Sequence, residues 1–186
     1  MTKERVPPGQ YVTENFPILH LGSPSEFDPE AWDFHIQGLV ARPLCLSWAE
    51  LKALPRTVSV SDFHCVTGWS RLDNRWEGVA FKALYELAQV QPEARFVTLW
   101  DHQLYSSSLP LADLLRDDVL LAYRHDGSDL APEHGGPLRL VVPHRYAYKS
   151  VKWVRGMRFT AEQEMGFWEQ RGYSNTADPW KEERYA

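Results

Sequence analysis

Short segments of alternating apolar and polar residues, most of them bounded by proline or glycine, constrain the fold of this chain more than any other feature. Residues 32–40 alternate in this way and are followed by Pro43, as expected for a strand. Residues 58–65 alternate as well, and further strand-like segments lie at 95–100, 119–123, 138–142 and 151–159. Many short strands with few helices between them predict a β-rich α+β fold.

Three short helices are predicted between these strands. Ser47 and Glu50 have the spacing of a capping box, which predicts a helix that begins there and ends near Pro55. Apolar residues at helical spacing predict a second helix over 81–89, and a third, shorter one is predicted over 109–115.

The length of 186 residues suits one domain with an extended N-terminal arm. Residues 1–31 hold five of the thirteen prolines and show little periodicity, so we expect an arm that lies on the domain formed by residues 32–186. Tyr11, Phe16 and Leu19 are its candidate anchors.

The net charge of −5 argues against general nucleic-acid binding, which needs a basic face to neutralise phosphates. No run approaches the roughly 18 apolar residues that a membrane helix needs. The first residues do not resemble a signal peptide, and two cysteines do not make a disulfide scaffold, so we expect a cytoplasmic protein.

Cys65 is the first candidate functional residue. It ends the strand predicted over 58–65, and Gly68 follows three residues later, so the chain is expected to turn just after the cysteine. His64 and Arg71 are near in sequence and could favour the thiolate, the form that binds metals and attacks electrophiles. A buried structural thiol is the alternative. Cys45 lies between leucines and is predicted to belong to the core.

A basic stretch over 134–160 is the second candidate, because it contains no Asp or Glu in an acidic protein. Its basic residues are His134, Arg139, His144, Arg145, Lys149, Lys152, Arg155 and Arg158. A solvated strand face is one interpretation. The other is a loop that aims cations and backbone N–H groups at a phosphate, with Gly135 and Gly136 permitting a close approach of the backbone.

Other metal and nucleotide sites are not indicated. The chain has no C-x-x-C pair, no H-E-x-x-H motif, no P-loop and no G-x-G-x-x-G.

These segments, in this order, resemble the sulfite oxidase-like molybdopterin oxidoreductase family, and most of all its small haem-free bacterial members such as the methionine-sulfoxide reductase catalytic subunit. The resemblance runs from about Asn15 to the C-terminus. The matching phrases are Gly38-Leu39-Val40 with Pro43-Leu44, Cys65-Val66 with Trp69-Ser70, Gly136-Pro137-Leu138-Arg139-Leu140-Val141-Val142-Pro143, Tyr146 with Lys149-Ser150-Val151-Lys152, and Gly172-Tyr173-Ser174-Asn175.

The resemblance implies that Cys65 supplies a protein thiolate to molybdenum and that a molybdopterin dithiolene supplies two further sulfurs. It also implies a set of residues that contact this cofactor. They are Asn15, Phe16, His64, His134, Arg139, Lys149, Ser150, Val151 and Lys152. The implied fold is a mixed β-sheet and barrel-like core with flanking helices, and the lack of a haem segment implies an external electron-transfer partner.

The implied activity is a two-electron transfer of an oxygen atom on a small substrate such as sulfite or a sulfoxide. Lys149, Arg145 or Arg71 could attract an anionic substrate. Two alternatives stay open. The chain could be a non-catalytic module that binds a pterin or another phosphate-bearing ligand. It could also use Cys65 in metal-free thiol chemistry with His64 as base, although adjacent residues of a strand point to opposite faces.

Overall fold

The computed structural model describes residues 5–24 and 26–186. The strands, in chain order, are β1 (Tyr11–Val12), β2 (Asp33–Gly38), β3 (Leu44–Ser47), β4 (Arg56–His64), β5 (Trp69–Ala80), β6 (Phe96–Asp101), β7 (Ser106–Pro110), β8 (Leu120–His125), β9 (Ser128–Asp129), β10 (Arg139–Val141) and β11 (Val154–Thr160). The α-helices are α1 (Trp48–Ala53), α2 (Phe81–Ala88) and α3 (Leu111–Leu114).

Two mixed sheets form the molecule. The first has the order β1-β5-β8-β10, with β4 also paired to β5 and β9 to β8, and the second has the order β3-β2-β11-β6-β7. The β1–β5 and β2–β11 pairs are parallel, and the other pairs are antiparallel. The predicted α+β class with a mixed sheet is confirmed, but within the described residues neither sheet closes into a barrel.

The main core lies where the two sheets and their helices pack together. Its buried residues come from both sheets, including Phe34 of β2, Leu99 of β6 and Leu121 of β8. A second, smaller cluster lies on the first sheet and contains Cys65 and Trp76. Cys65, the first candidate functional residue, therefore lies on the first sheet and outside the larger core.

Each segment predicted as a strand contains a strand, although the ends differ from the predicted ones by a few residues. The predicted capping box is also present, at the start of α1. The Ser47 hydroxyl accepts from the Glu50 backbone N–H at 3.3 Å, while the Glu50 carboxylate accepts from the Ser47 backbone N–H at 2.8 Å.

The sequence pattern missed β5, the longest strand. Its C-terminal half is buried on both faces and Asp73 has a φ of 54°, so no regular alternation marks it.

The described part of the N-terminal arm, which excludes residues 1–4 and 25, lies on the first sheet. β1 adds a two-residue parallel pairing to the start of β5. Phe16 anchors the arm by packing its ring edge-on against Trp69 at 5.9 Å between centroids. The side chains of Tyr11 and Leu19 are exposed instead, so these two side chains do not anchor the arm as expected. The division of the chain at residue 31 stays a prediction.

The prediction that Cys45 belongs to the core was wrong. Successive side chains of a strand point to opposite faces, and in β3 the buried residue is Leu46. Cys45, the neighbour of Leu46, is therefore exposed on the outer face of the sheet.

The last part of the chain is held against the domain by a buried ion pair. The Lys149 ammonium pairs with the Glu169 carboxylate and also donates to the Ser108 carbonyl at 3.0 Å. Both charged side chains are fully buried. Burial lowers the pKa of Lys149, and the charge of Glu169 opposes that shift.

No helix within the described residues has the length and apolar character needed to cross a membrane.

Lys149→Met should destabilise the protein, because it leaves the Glu169 carboxylate buried without its cation. Breaking a buried pair in this way costs about 3–5 kcal/mol. Urea denaturation should show this loss in the free energy of unfolding, and Lys149→Met combined with Glu169→Leu should recover most of it. The control Lys181→Met, at an exposed lysine, should change stability by less than about 1 kcal/mol. A single Lys149→Met variant as stable as the control would contradict the structural role of the pair.

Candidate active site

A cavity of about 340 Å³ opens beside Cys65. Residues from five separate segments of the chain line it, within 16–21, 63–69, 101–105, 139–153 and 168–173. The arm, the β4–β5 turn, the basic stretch and the C-terminal tail thus meet at one place.

The turn between β4 and β5 fixes the position of Cys65. The Cys65 backbone N–H donates to the Trp69 carbonyl at 2.8 Å, and the Gly68 N–H donates to the Cys65 carbonyl at 3.0 Å. Gly68 has a φ of 104°, a conformation that only glycine adopts without strain. The Gln10 side chain donates to the Cys65 carbonyl at 3.1 Å and ties the arm to the turn. The predicted turn after Cys65 is confirmed.

The thiol of Cys65 is buried but faces the cavity. Its sulfur lies 3.1 Å from the Thr67 hydroxyl. Burial raises the pKa of the Cys65 thiol, although the contact with Thr67 and the positive charge of Lys152 oppose the rise. The ring of His64 bonds instead to the Ser70 hydroxyl at 2.8 Å, and Arg71 pairs with Asp126. Neither of the two residues expected to favour the thiolate is placed to do so.

Two cations lie in the cavity wall: Lys152, which is half-buried, and Arg139, which is buried. Its guanidinium donates to the carbonyl oxygens of His134 at 2.7 Å and Ser150 at 3.1 Å. It also lies over the ring of Phe63, 5.0 Å from the centroid. Arg139 is 1% exposed, and this burial lowers its pKa to about 9.

Lys152 is the second cation. Its ammonium donates to the Glu133 carbonyl at 2.8 Å and to the Leu19 carbonyl of the arm at 2.9 Å. Burial and then the charge of Arg139 lower the pKa of Lys152 to about 7. A side chain at Gly135 would meet the Cγ atom of Lys152 at 2.9 Å, so glycine there lets the two cations stand close together.

The cation pair of Arg139 and Lys152 has no acidic partner in the part of the chain that the structure describes. All the hydrogen bonds of the two side chains go to carbonyl oxygens. Burying charge without a counter-charge is unfavourable. A ligand that brings negative charge into this cavity would remove that penalty, so the cavity has the electrostatics of an anion-binding site.

A family model described as the oxidoreductase molybdopterin binding domain matches residues 20–168. The chain belongs to this family. The match includes Cys65, Arg139 and Lys152, whereas Phe16, Leu19 and Tyr173 of the cavity wall lie outside the matched range. The resemblance to sulfite oxidase-like enzymes predicted from the sequence is confirmed, and with it a molybdenum–molybdopterin cofactor and an oxidoreductase activity.

Three relatives support this membership. The chain is 50% identical over 182 residues to the uncharacterized oxidoreductase YuiH of Bacillus subtilis, covering 97% of this chain and 92% of that protein. It is 32% identical over 160 residues to the protein-methionine-sulfoxide reductase catalytic subunit MsrP of Campylobacter jejuni, covering 77% of this chain and 54% of MsrP. The crystal structure of the sulfane dehydrogenase SoxCD from Paracoccus pantotrophus superposes with a TM-score of 0.69 at 26% identity, covering 75% of this chain and 41% of that one. The chain thus spans about half of MsrP and less of SoxCD.

The remaining predicted cofactor contacts of this molybdopterin-binding domain are not all at the cavity. Phe16 and Ser150 line it. The His134 ring stacks on Phe16 at 4.3 Å between centroids, and its Nδ1 atom is buried without a hydrogen-bond partner among the described residues. Asn15 is exposed, and Val151 is fully buried in the core.

Lys149, Arg145 and Arg71, the cations expected to attract an anionic substrate, are engaged elsewhere. Lys149 is buried against Glu169, and its role as a cofactor contact stays a prediction. The Arg145 guanidinium donates to both carboxylate oxygens of Asp113, at 2.8 and 2.9 Å. None of the three lines the cavity.

An aromatic wall of the cavity was missed by the sequence analysis. It consists of Tyr105, Tyr148, Trp153, Trp168 and Tyr173. The Tyr148 hydroxyl donates to the Ser174 carbonyl at 2.6 Å, which joins the wall to the tail. The only signal in the sequence was the high content of aromatic residues, which does not say which of them line a cavity and which fill the core.

Proposed function

We propose that Cys65 binds molybdenum through its sulfur and that Arg139 and Lys152 hold the anionic part of the molybdopterin. The observation that carries this proposal is the meeting, at a single cavity, of one buried thiol and two cations without an acidic partner, the buried Arg139 and the half-buried Lys152.

The residues present fit such a group. A thiolate is a soft ligand that suits a sulfur-rich metal centre. Arg139 and Lys152 supply the charge that a phosphate requires. When bound, the cofactor supplies the two-electron redox chemistry and the oxygen-atom transfer.

The raised pKa of Cys65 supports a role as metal ligand over a role as nucleophile. A buried thiol without a base is inert towards electrophiles, since the thiolate is the reactive form. Metal coordination removes the proton directly, so a metal ligand needs no such base. The Nδ1 atom of His64 bonds to Ser70, and no hydrogen bond joins the His64 ring to the Cys65 sulfur among the described residues, which disfavours the metal-free thiol mechanism.

We further propose that the substrate is a small uncharged oxide, such as a sulfoxide, rather than sulfite. With Arg139 and Lys152 assigned to the cofactor, the rest of the cavity wall is mainly aromatic and aliphatic, with Trp168, Tyr173 and Leu21 as examples. Such a wall favours an uncharged molecule over an oxyanion. The name of MsrP as a methionine-sulfoxide reductase catalytic subunit is in line with this choice.

We also propose an external electron-transfer partner. Two of the relatives, MsrP and the putative protein-methionine-sulfoxide reductase subunit YedZ1 of Azospira oryzae, are named as subunits. YedZ1 is 29% identical over 170 residues, covering 90% of this chain and 64% of that protein.

A cytoplasmic location stays a prediction.

Arg139→Ala and Lys152→Met should each lower the cofactor content of the purified protein. Each variant loses a charge-assisted contact worth roughly 1.5–3 kcal/mol, which is a weakening of roughly 10- to 100-fold. Fluorescence of the oxidised pterin and elemental analysis of molybdenum measure the content. Arg158→Ala is the matched control, since Arg158 belongs to the same basic stretch but pairs with Glu164 at the surface. Wild-type pterin content in both folded variants, checked by thermal melting, would contradict the assignment.

The loaded enzyme, supplied with a reduced dye, should turn over a dialkyl sulfoxide with a kcat/KM that changes little with ionic strength. Salt screens attraction between charges, and an uncharged substrate has none to lose. Trp168→Ala should raise KM for the sulfoxide more than it lowers kcat. A higher kcat/KM for sulfite oxidation, falling as salt is added, would instead show an anionic substrate. No turnover of any oxide by fully loaded protein would favour the non-catalytic binding module.

A further inference from the structure

The outer face of the β2–β3 pair carries three side chains of the kinds that bind metals. Asp33 and His35 come from β2, and Cys45 comes from β3 directly opposite His35. Their ligand atoms all lie within 4.8 Å of one another. Phe34 and Leu46, their neighbours in the strands, point into the core, so the alternation of the two strands places the three ligands on the same outer face.

Arg155 of β11 orients the carboxylate of this group. Its guanidinium pairs with Asp33 Oδ1 and donates to the Asp33 carbonyl at 2.9 Å. The other oxygen, Oδ2, faces His35 Nε2 at 3.1 Å. Hydrogen-bonded support of a ligating carboxylate is a common feature of metal sites.

The position of Cys45 is unusual for a cysteine. Free cysteines are among the residues most often buried, yet Cys45 is exposed in a strand whose neighbouring leucines are more buried. A carboxylate oxygen, an imidazole nitrogen and a thiolate sulfur together suit Zn²⁺, whereas Mg²⁺ and Ca²⁺ prefer oxygen alone.

We propose that Asp33, His35 and Cys45 form a binding site for Zn²⁺, with a fourth position open to water. The two strands fix the backbone of all three residues, so the site needs only side-chain adjustment. None of the three lines the cavity at Cys65, and the proposal is therefore independent of the proposed function. A bound ion would link the edge strand β3 to β2 and should raise the melting temperature by mass action.

Cobalt titration of the chelator-treated, cofactor-loaded protein tests the site, because Co²⁺ replaces Zn²⁺ and shows a thiolate-to-metal absorption band. One Co²⁺ per chain should bind with this band, and Zn²⁺ should displace it. Cys45→Ser and His35→Ala should abolish the band. Arg155→Gln should weaken binding roughly 10- to 100-fold, as loss of an outer contact does.

Two variants serve as controls. Gln37→Ala changes the next residue on the same face of β2 and should keep the band, as should Cys65→Ser, which removes the other thiol. The proposal is overturned if no thiolate band forms, if Cys45→Ser retains it, or if Cys65→Ser alone removes it. None of these outcomes depends on the molybdenum content or the turnover of the protein. Failure of the zinc-site proposal would therefore leave the proposed function unaffected.

Discussion

Two cations without an acidic partner, one buried and one half-buried, beside a buried thiol are the physical constraint on which the account of this protein depends. A folded chain does not normally retain such charges, because their desolvation costs several kcal/mol per ion unless something compensates. Among the described residues Arg139 and Lys152 hydrogen-bond only to carbonyl oxygens. Burial lowers the pKa of both groups, and the charge of Arg139 lowers that of Lys152 further. The simplest resolution is an anionic ligand that is part of the working protein, and the family to which the chain belongs supplies one in molybdopterin.

The fold is arranged so that distant parts of the chain complete this cavity. The tight turn between β4 and β5 presents the sulfur of Cys65, and the basic stretch that follows β9 presents the cations. The N-terminal arm adds the carbonyl of Leu19 to Lys152, and the tail adds Trp168 and Tyr173 to the wall. The buried Lys149–Glu169 pair keeps that tail in place.

Much of this could be predicted from the sequence, and the failures have physical reasons. Alternation marked strands such as β2, which has one face in the core, and continuous apolar residues marked β8, which is buried on both faces. Neither pattern marks β5, in which charged residues interrupt the buried ones. The acid-free stretch predicted an anion site and led to Arg139 and Lys152. It could not show that Lys149, in the same stretch, turns inward to Glu169, because that acid lies 20 residues further along the chain. The aromatic wall comes from loops and the tail, where no periodicity reveals which way a side chain points.

The most direct test of the central claim is X-ray absorption at the molybdenum edge, which counts the sulfur atoms bound to the metal. Comparison of the loaded wild-type protein with loaded Cys65→Ser should show one fewer sulfur ligand in the variant, with an oxygen in its place. Identical sulfur counts in the two proteins would show that the Cys65 sulfur is not a ligand, and the account of the cavity as a cysteine-bound molybdenum site would then be wrong.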